Sequence, residues 1–246
     1  MVCSCVQRFW GWLALFGPYA PLVGLFVIGL PILSLSRIGL MLWQASRVAA
    51  TGMWPNMLIQ GVRADIILLG LIVILPLLIA PLIIIFGAWT QWKYFIFVWV
   101  ILAITLMVFM EAATPGFITE YDSRPNRLFV EYLKYPAEVI PMLWGGFRIH
   151  VFAGLGALVL TLWAMARFMR PWLDQVNQLP SLYFWLAWPV VVLAIVFAVR
   201  STTGHRPANP ALFALTNDSM INTLVLNSTY SVFYAIYDLK HESNSS

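Results

Sequence analysis

The chain has 246 residues, of which 61% are hydrophobic and only 10% are charged, and its mean hydropathy is +0.85. Since soluble domains spend about a quarter of their residues on charge, this composition excludes a water-soluble globule and predicts an all-α polytopic membrane protein. The net charge of +4 does not indicate a nucleic-acid partner, because the basic residues stand at the ends of apolar runs, where they anchor helices to lipid headgroups.

Five charge-free runs predict about five transmembrane helices, because about 20 mainly apolar residues are needed to cross the hydrocarbon core. Prolines in the first two runs predict kinked helices there. The runs cover residues 9–36, 66–92, 94–110, 149–166 and 175–199. Residues 1–199 are therefore expected to form one transmembrane domain.

Two charged stretches between these runs predict helices that lie on the membrane surface. Residues 37–47 are bracketed by arginines and are too short to cross, and residues 111–148 carry five acidic and four basic residues. After Arg200 a polar, proline-containing stretch ends the last span. Residues 200–246 are therefore predicted to form a juxtamembrane linker followed by an interfacial helix.

The distribution of basic residues bears on orientation, because cytoplasmic loops are enriched in Lys and Arg. With five spans and a cytoplasmic N-terminus, only Arg8, Lys93, Arg167 and Arg170 lie inside, and the other ten of the 14 basic residues lie outside. By charge alone, the count favours the opposite orientation.

Most of the charged residues fall on one predicted face of the membrane, and that face is suited to hold an anionic lipid headgroup, because a guanidinium grips two phosphate oxygens. The candidate headgroup ligands are Arg63, Asp65, Arg124, Arg127 and Arg206. The alternative is that the arginines pair with Asp65, Glu120, Asp122 and Glu131, or extend to the interface. No ionisable residue is expected at the middle of a span, which disfavours an ion carrier. The three histidines are far apart in sequence, and no metal site is expected.

Three stretches carry a resemblance to a known family. Gly61-Val-Arg-Ala-Asp65 precedes a span, Tyr121-Asp-Ser-Arg-Pro-Asn-Arg127 follows the third, and His205-Arg-Pro-Ala-Asn-Pro210 with Leu226-Asn-Ser-Thr-Tyr-Ser231 follows the last. In their order and their places relative to the spans they resemble the membrane portion of the lipoteichoic acid synthase and phosphoethanolamine or phosphoglycerol transferase family, within the sulfatase and alkaline phosphatase superfamily.

The resemblance implies a bacterial cytoplasmic (inner) membrane protein with a cytoplasmic N-terminus and an extracytoplasmic C-terminus, against the count of basic residues. It also implies headgroup transfer from a phospholipid by a threonine nucleophile and a divalent metal, both in a soluble domain expected shortly after Ser246. No catalytic residue or cofactor is therefore expected within this chain.

Two functions follow as hypotheses. The first is a membrane anchor and lipid-presenting domain of such a transferase, whose partners are membrane lipids and a sulfatase-type catalytic domain, in cis or in trans. The second is a stand-alone membrane partner subunit or small-solute carrier.

Overall fold

In a computed structural model, residues 2–175, 182–201 and 209–245 are described, and they form helices joined by short turns without a strand. The predicted all-α membrane architecture is thereby confirmed. Within the described residues, four helical stretches are long and apolar enough to cross a membrane, and a fifth apolar helix is shorter. The four are Cys5–Trp43, Trp54–Ile85, Trp89–Tyr121 and Arg148–Leu173, and the shorter one is Phe184–Arg200.

The helices are numbered here in chain order. They are α1 (Val2–Leu13), α2 (Ala20–Trp43), α3 (Ala45–Thr51), α4 (Trp54–Ile85), α5 (Trp89–Tyr121), α6 (Arg127–Tyr132), α7 (Pro136–Gly146), α8 (Arg148–Gln175), α9 (Leu182–Arg200), α10 (Ser219–Val225) and α11 (Ser228–Ser245). Two 3₁₀ turns, Ala14–Tyr19 and Pro210–Phe213, precede α2 and α10.

The predicted kink in the first span is confirmed, and it lies between α1 and α2. There Gly17 has a φ of 53°, which a residue without a β-carbon adopts at little cost, and Pro18 follows it. By contrast, α4 continues as a helix through Pro76 and Pro81. The second charge-free run also contains a turn, where Gly87 with a φ of 70° separates α4 from α5.

The helices extend beyond the charge-free runs, and this corrects two predicted interfacial segments. Residues 37–43 continue α2, so 37–47 is not a separate surface helix, and the first eleven residues of 111–148 belong to α5. The helices also include ionisable residues that lie outside the charge-free runs, since Asp65 and Glu111 lie about three turns from the nearest end of α4 and α5. The helices α2, α4 and α5 continue past these charged residues because the charges are paired inside the protein.

The centre of the bundle is formed by α2, α4 and α5, with α8 packed against α5 and α9 against α4. Leu69 of α4 and Met107 of α5 are fully buried and both lie against Gly29 of α2, where the three central helices meet. The described C-terminal helices return to this bundle, since α10 contacts α4 and α2, and α11 contacts α5 and α6. The end of the chain is therefore part of the packed structure.

Candidate functional site

The most prominent polar feature is a group of buried side chains at the end of the central bundle, which we call the buried polar cluster. Its members come from α2, α4, α5, the loop after α5 and the junction of α10 with α11. They are Arg37, Asp65, Glu111, Arg124, Asn227 and Ser228.

The first ion pair of the cluster joins α2 to α4. Arg37 Nη1 and Nη2 donate to Asp65 Oδ2 and Oδ1 at 2.8 and 2.6 Å, and the two side chains are 1% and 0% exposed. Gly61, one turn before Asp65, makes room for this pair, because a β-carbon at that position would overlap the Arg37 guanidinium. The two-point geometry satisfies both carboxylate oxygens, which a buried charge requires.

The second ion pair joins α5 to the loop that follows it. Arg124 Nη1 lies 2.9 Å from both carboxylate oxygens of Glu111, and both residues are buried. The Ser36 hydroxyl also donates to Glu111 Oε2, so α2 takes part in this pair as well. Each buried carboxylate therefore has an arginine and further hydrogen-bond donors.

The junction between α10 and α11 joins the two ion pairs. Asn227 Nδ2 donates to Asp65 Oδ1 at 2.9 Å, and the Ser228 amide donates to Glu111 Oε1 at 2.9 Å. Asn227 Oδ1 accepts from the Tyr230 amide at 2.8 Å and so caps the first turn of α11. One short turn of chain is thus held by carboxylates from two different transmembrane helices.

A third contact holds the start of α10 at the edge of the bundle. Arg47 donates to both Asp122 and Asp218, with Nη distances of 2.6 and 2.8 Å. Partial burial raises the pKa of Asp218, but hydrogen bonds from Arg47 and from the amides of the first turn of α10 outweigh it and lower this pKa below its ordinary value. Asp218 is therefore charged at neutral pH and caps α10.

Two more arginines contact the chain after the last span, which we call the C-terminal segment (residues 201–245, described at 201 and from 209). Arg63 Nε donates to Ser201 Oγ at 2.6 Å, and its guanidinium lies over the Phe213 ring at 5.8 Å. Arg127 Nη1 donates to Glu242 at 3.0 Å on the surface. The segment is thus held near its start and near its end.

Four of the five predicted headgroup ligands are described, and each contacts the C-terminal segment. Arg63 contacts its beginning, Asp65 and Arg124 contact its middle, and Arg127 contacts its last helix. Arg206 lies outside the described residues. The four do not form a single site, since Asp65 and Arg124 are buried and Arg127 is 53% exposed. Their role as headgroup ligands stays a prediction.

The alternative considered for the arginines, pairing with acidic residues, is confirmed for three of the four named acids. The pairs are Arg37 with Asp65, Arg47 with Asp122 and Arg127 with Glu131.

Sequence reasoning did not assign Arg37, Glu111, Asn227 or Ser228 to a site. One local signal was present, because a glycine one turn before Asp65 in an apolar helix leaves space for a partner side chain. Nothing comparable marked Asn227, which lies 162 residues from Asp65 in the sequence.

The chemistry available to the cluster is that of a structural clamp. Its carboxylates accept hydrogen bonds from arginine and amide donors, an arrangement that holds these groups in fixed positions. Within the described residues, no group of three or more His, Cys, Asp or Glu side chains is placed to hold a metal ion. No protein-family model matches the chain, and no solved structure matches it.

Proposed function

We propose that this chain is the membrane anchor and lipid-presenting domain of a sulfatase-type phosphoglycerol or phosphoethanolamine transferase of the bacterial inner membrane. In this proposal the bundle holds the C-terminal segment at a fixed position on its extracytoplasmic face. A catalytic domain, in cis or in trans, is then held at a defined height above the bilayer. The divalent metal of the reaction belongs to that domain.

The observation that supports the proposal best is the attachment of the C-terminal segment to charged residues of the bundle. Asn227 and Ser228 bind both buried carboxylates, and Asp218 and Glu242 bind surface arginines. A flexible linker would need none of these contacts, which order a polar segment at an entropic cost. A fixed segment suits a headgroup transferase, because its substrate lies at a fixed depth and catalysis needs close positioning.

The proposal is tested by headgroup transfer in membranes of cells that produce the protein, followed with phospholipid labelled in its glycerol or ethanolamine headgroup. Disruption of the gene is expected to abolish transfer to the acceptor. Asn227→Ala is expected to reduce transfer several-fold at an unchanged protein level. The matched variant Asn56→Ala, at an exposed position of α4, is expected to have no effect. Transfer that persists unchanged after disruption would exclude the function.

One observation favours a small-solute carrier as the second candidate. Asp65 and Glu111 lie inside transmembrane helices, where ionisable residues commonly mark transport paths. Their pairing with arginines weakens this candidate, because a carrier site must exchange its partners. Uptake of a labelled solute into proteoliposomes that is lost in Glu111→Gln would favour the carrier.

A further inference from the structure

A groove runs between α5 and α8, the two transmembrane helices that contact each other most closely along their lengths. The helices are antiparallel, since Gly116 of α5 faces His150 near the start of α8, and Gly154, one turn later, faces Phe109, earlier in α5. A β-carbon at Gly154 would lie 3.6 Å from the Phe109 ring. The glycines therefore let the two helices approach closely, and both also line the groove.

The groove has a volume of about 370 Å³, within the range of ligand pockets, and residues of α6 and α7 line it together with α5 and α8. Its polar side chains gather at one end, where α5 finishes and α8 begins, namely Glu120, Tyr121, Tyr132 and His150. Its other end, at Phe109 and Leu155, is apolar. The groove thus matches a lipid along its length, because its polar end lies where the transmembrane helices end and its apolar end lies deeper along them.

The groove is continuous with the surface that α8 presents to the bilayer. Phe152, Leu155 and Val159 of α8 are more than half exposed, and in a membrane such side chains contact lipid tails. Helix α7 covers the groove with Val139, Met142 and Leu143, and none of its residues, 136–146, is buried. A chain in the surrounding lipid can therefore enter from the side.

We propose that this groove binds one acyl chain of a phospholipid, with the tail along α5 and α8 and the headgroup beside Glu120 and His150. The tail packs against the apolar side chains that line the groove, among them Phe109, Leu143 and Leu155. The site depends only on the position of the chain in a bilayer, so it stands or falls separately from headgroup transfer.

The test is photo-crosslinking in nanodiscs of phosphatidylethanolamine and phosphatidylglycerol that contain a phospholipid with a diazirine on its acyl chain. Adducts are then located by peptide mass spectrometry. In the wild-type protein, adducts are expected at the peptides of α5 and α8 that contain Phe109 and Leu155, in excess over the exposed apolar face of α9. Adducts spread over all lipid-facing helices in proportion to their exposure would overturn the proposal.

Gly154→Phe places a ring in the groove and is expected to lower the groove adduct by roughly tenfold or more, because several methylene contacts are lost. Gly156→Phe is the matched control, since a β-carbon at Gly156 meets nothing within 4 Å, and its adduct should equal that of the wild type. Ala113→Phe fills the groove from the opposite wall, in case the first variant fails to fold. A groove adduct of wild-type intensity in a folded Gly154→Phe protein would contradict the proposal.

Discussion

Asp65 and Glu111 carry charge into the interior of the protein, and each is matched by an arginine within hydrogen-bond distance. Removing charges from water costs several kcal/mol per ion, and only good geometry with additional donors offsets it. The Arg37–Asp65 pair meets this condition with Asn227 as the additional donor. Ser36 and the Ser228 amide supply additional donors to Glu111, although Nε of Arg124 is buried without a hydrogen-bond partner among the described residues. Replacing one partner of a pair should therefore destabilise the folded protein more than replacing both partners.

Asp65→Asn leaves the Arg37 guanidinium buried without a counter-charge, so we expect it to destabilise the protein by about 3–5 kcal/mol. The measurement is thermal unfolding of the purified protein in detergent. Asp122→Asn is the control, since that carboxylate is 64% exposed and its pair should contribute at most about 1 kcal/mol. The double variant Arg37→Met with Asp65→Leu should recover most of the loss, and an equal loss in the single and double variants would contradict this account.

Gly61 is the second residue on which the first ion pair depends. Gly61→Ala forces the Arg37 side chain away from Asp65, and overpacking of this kind costs about 1–3 kcal/mol. Gly39→Ala in α2 meets open space, so it should leave stability unchanged or raise it slightly through helix propensity. Thermal unfolding of the two variants should therefore shift in different directions, and a harmless Gly61→Ala would show that Arg37 has room to move.

At the level of elements, the junction of α10 with α11 is held at three consecutive groups, the Asn227 side chain, the Ser228 amide and the Ser228 hydroxyl. Asn227→Ala removes the bond to Asp65 and the cap of α11 together, a loss of about 1–3 kcal/mol for the buried partner. Amide hydrogen exchange should accelerate throughout α11 while α4 and α5 stay protected. Faster amide exchange confined to the junction would show that the other contacts of α11 are enough to hold that helix on the bundle.

The start of α10 should respond to acid. The folded-state pKa of Asp218 lies below its ordinary value of about 3.9, so its contribution to stability is complete above that value and is lost as the pH falls through the lower, folded-state pKa. Hydrogen exchange of α10 measured from neutral pH down to the acid range should rise only below about pH 4. Asp218→Asn should exchange faster at neutral pH and lose this dependence, and an unchanged pH profile in that variant would assign it to another group.

The fold class could be predicted from the sequence because length and hydropathy decide which segments enter a bilayer. The ends of the helices could not be predicted in this way, because a charged residue normally marks the end of a membrane span. Arg37, Asp65 and Glu111 lie inside helices instead, since each is paired with a residue of opposite charge elsewhere in the chain. Two members of the buried polar cluster, Asp65 and Arg124, were among the predicted headgroup ligands, a role that stays a prediction. Asp65 and Arg124 were identified by their charge beside apolar runs, but their contacts with Asn227 and Ser228 depend on how the last two helices pack against the bundle.

At the scale of the whole molecule, the two ends lie on opposite sides of the membrane if Phe184–Arg200 crosses it together with the four longer helices. Cys5 is exposed near the N-terminus and reports on that end. Lys240→Cys, with Cys3 and Cys5 replaced by serine, reports on the other end. In cells whose outer membrane is permeabilised and whose inner membrane is intact, a membrane-impermeant maleimide should label the Lys240→Cys variant and leave Cys5 of the wild-type protein unlabelled. Labelling of Cys5 instead would reverse the orientation, as the count of basic residues favours.

The positions of the two ion pairs along the chain have a consequence for biosynthesis. Arg37 lies 28 residues before Asp65, and Arg124 lies 13 residues after Glu111. An isolated charge at the centre of an inserting helix costs about 2.5–3.5 kcal/mol, so an early partner lowers the barrier to leaving the translocon. Both arginines precede α8 and α9 in the chain, so both pairs can form before those helices are made. The turn at Asn227 and Ser228 is made after all the membrane helices and joins α4 to α5 through their carboxylates.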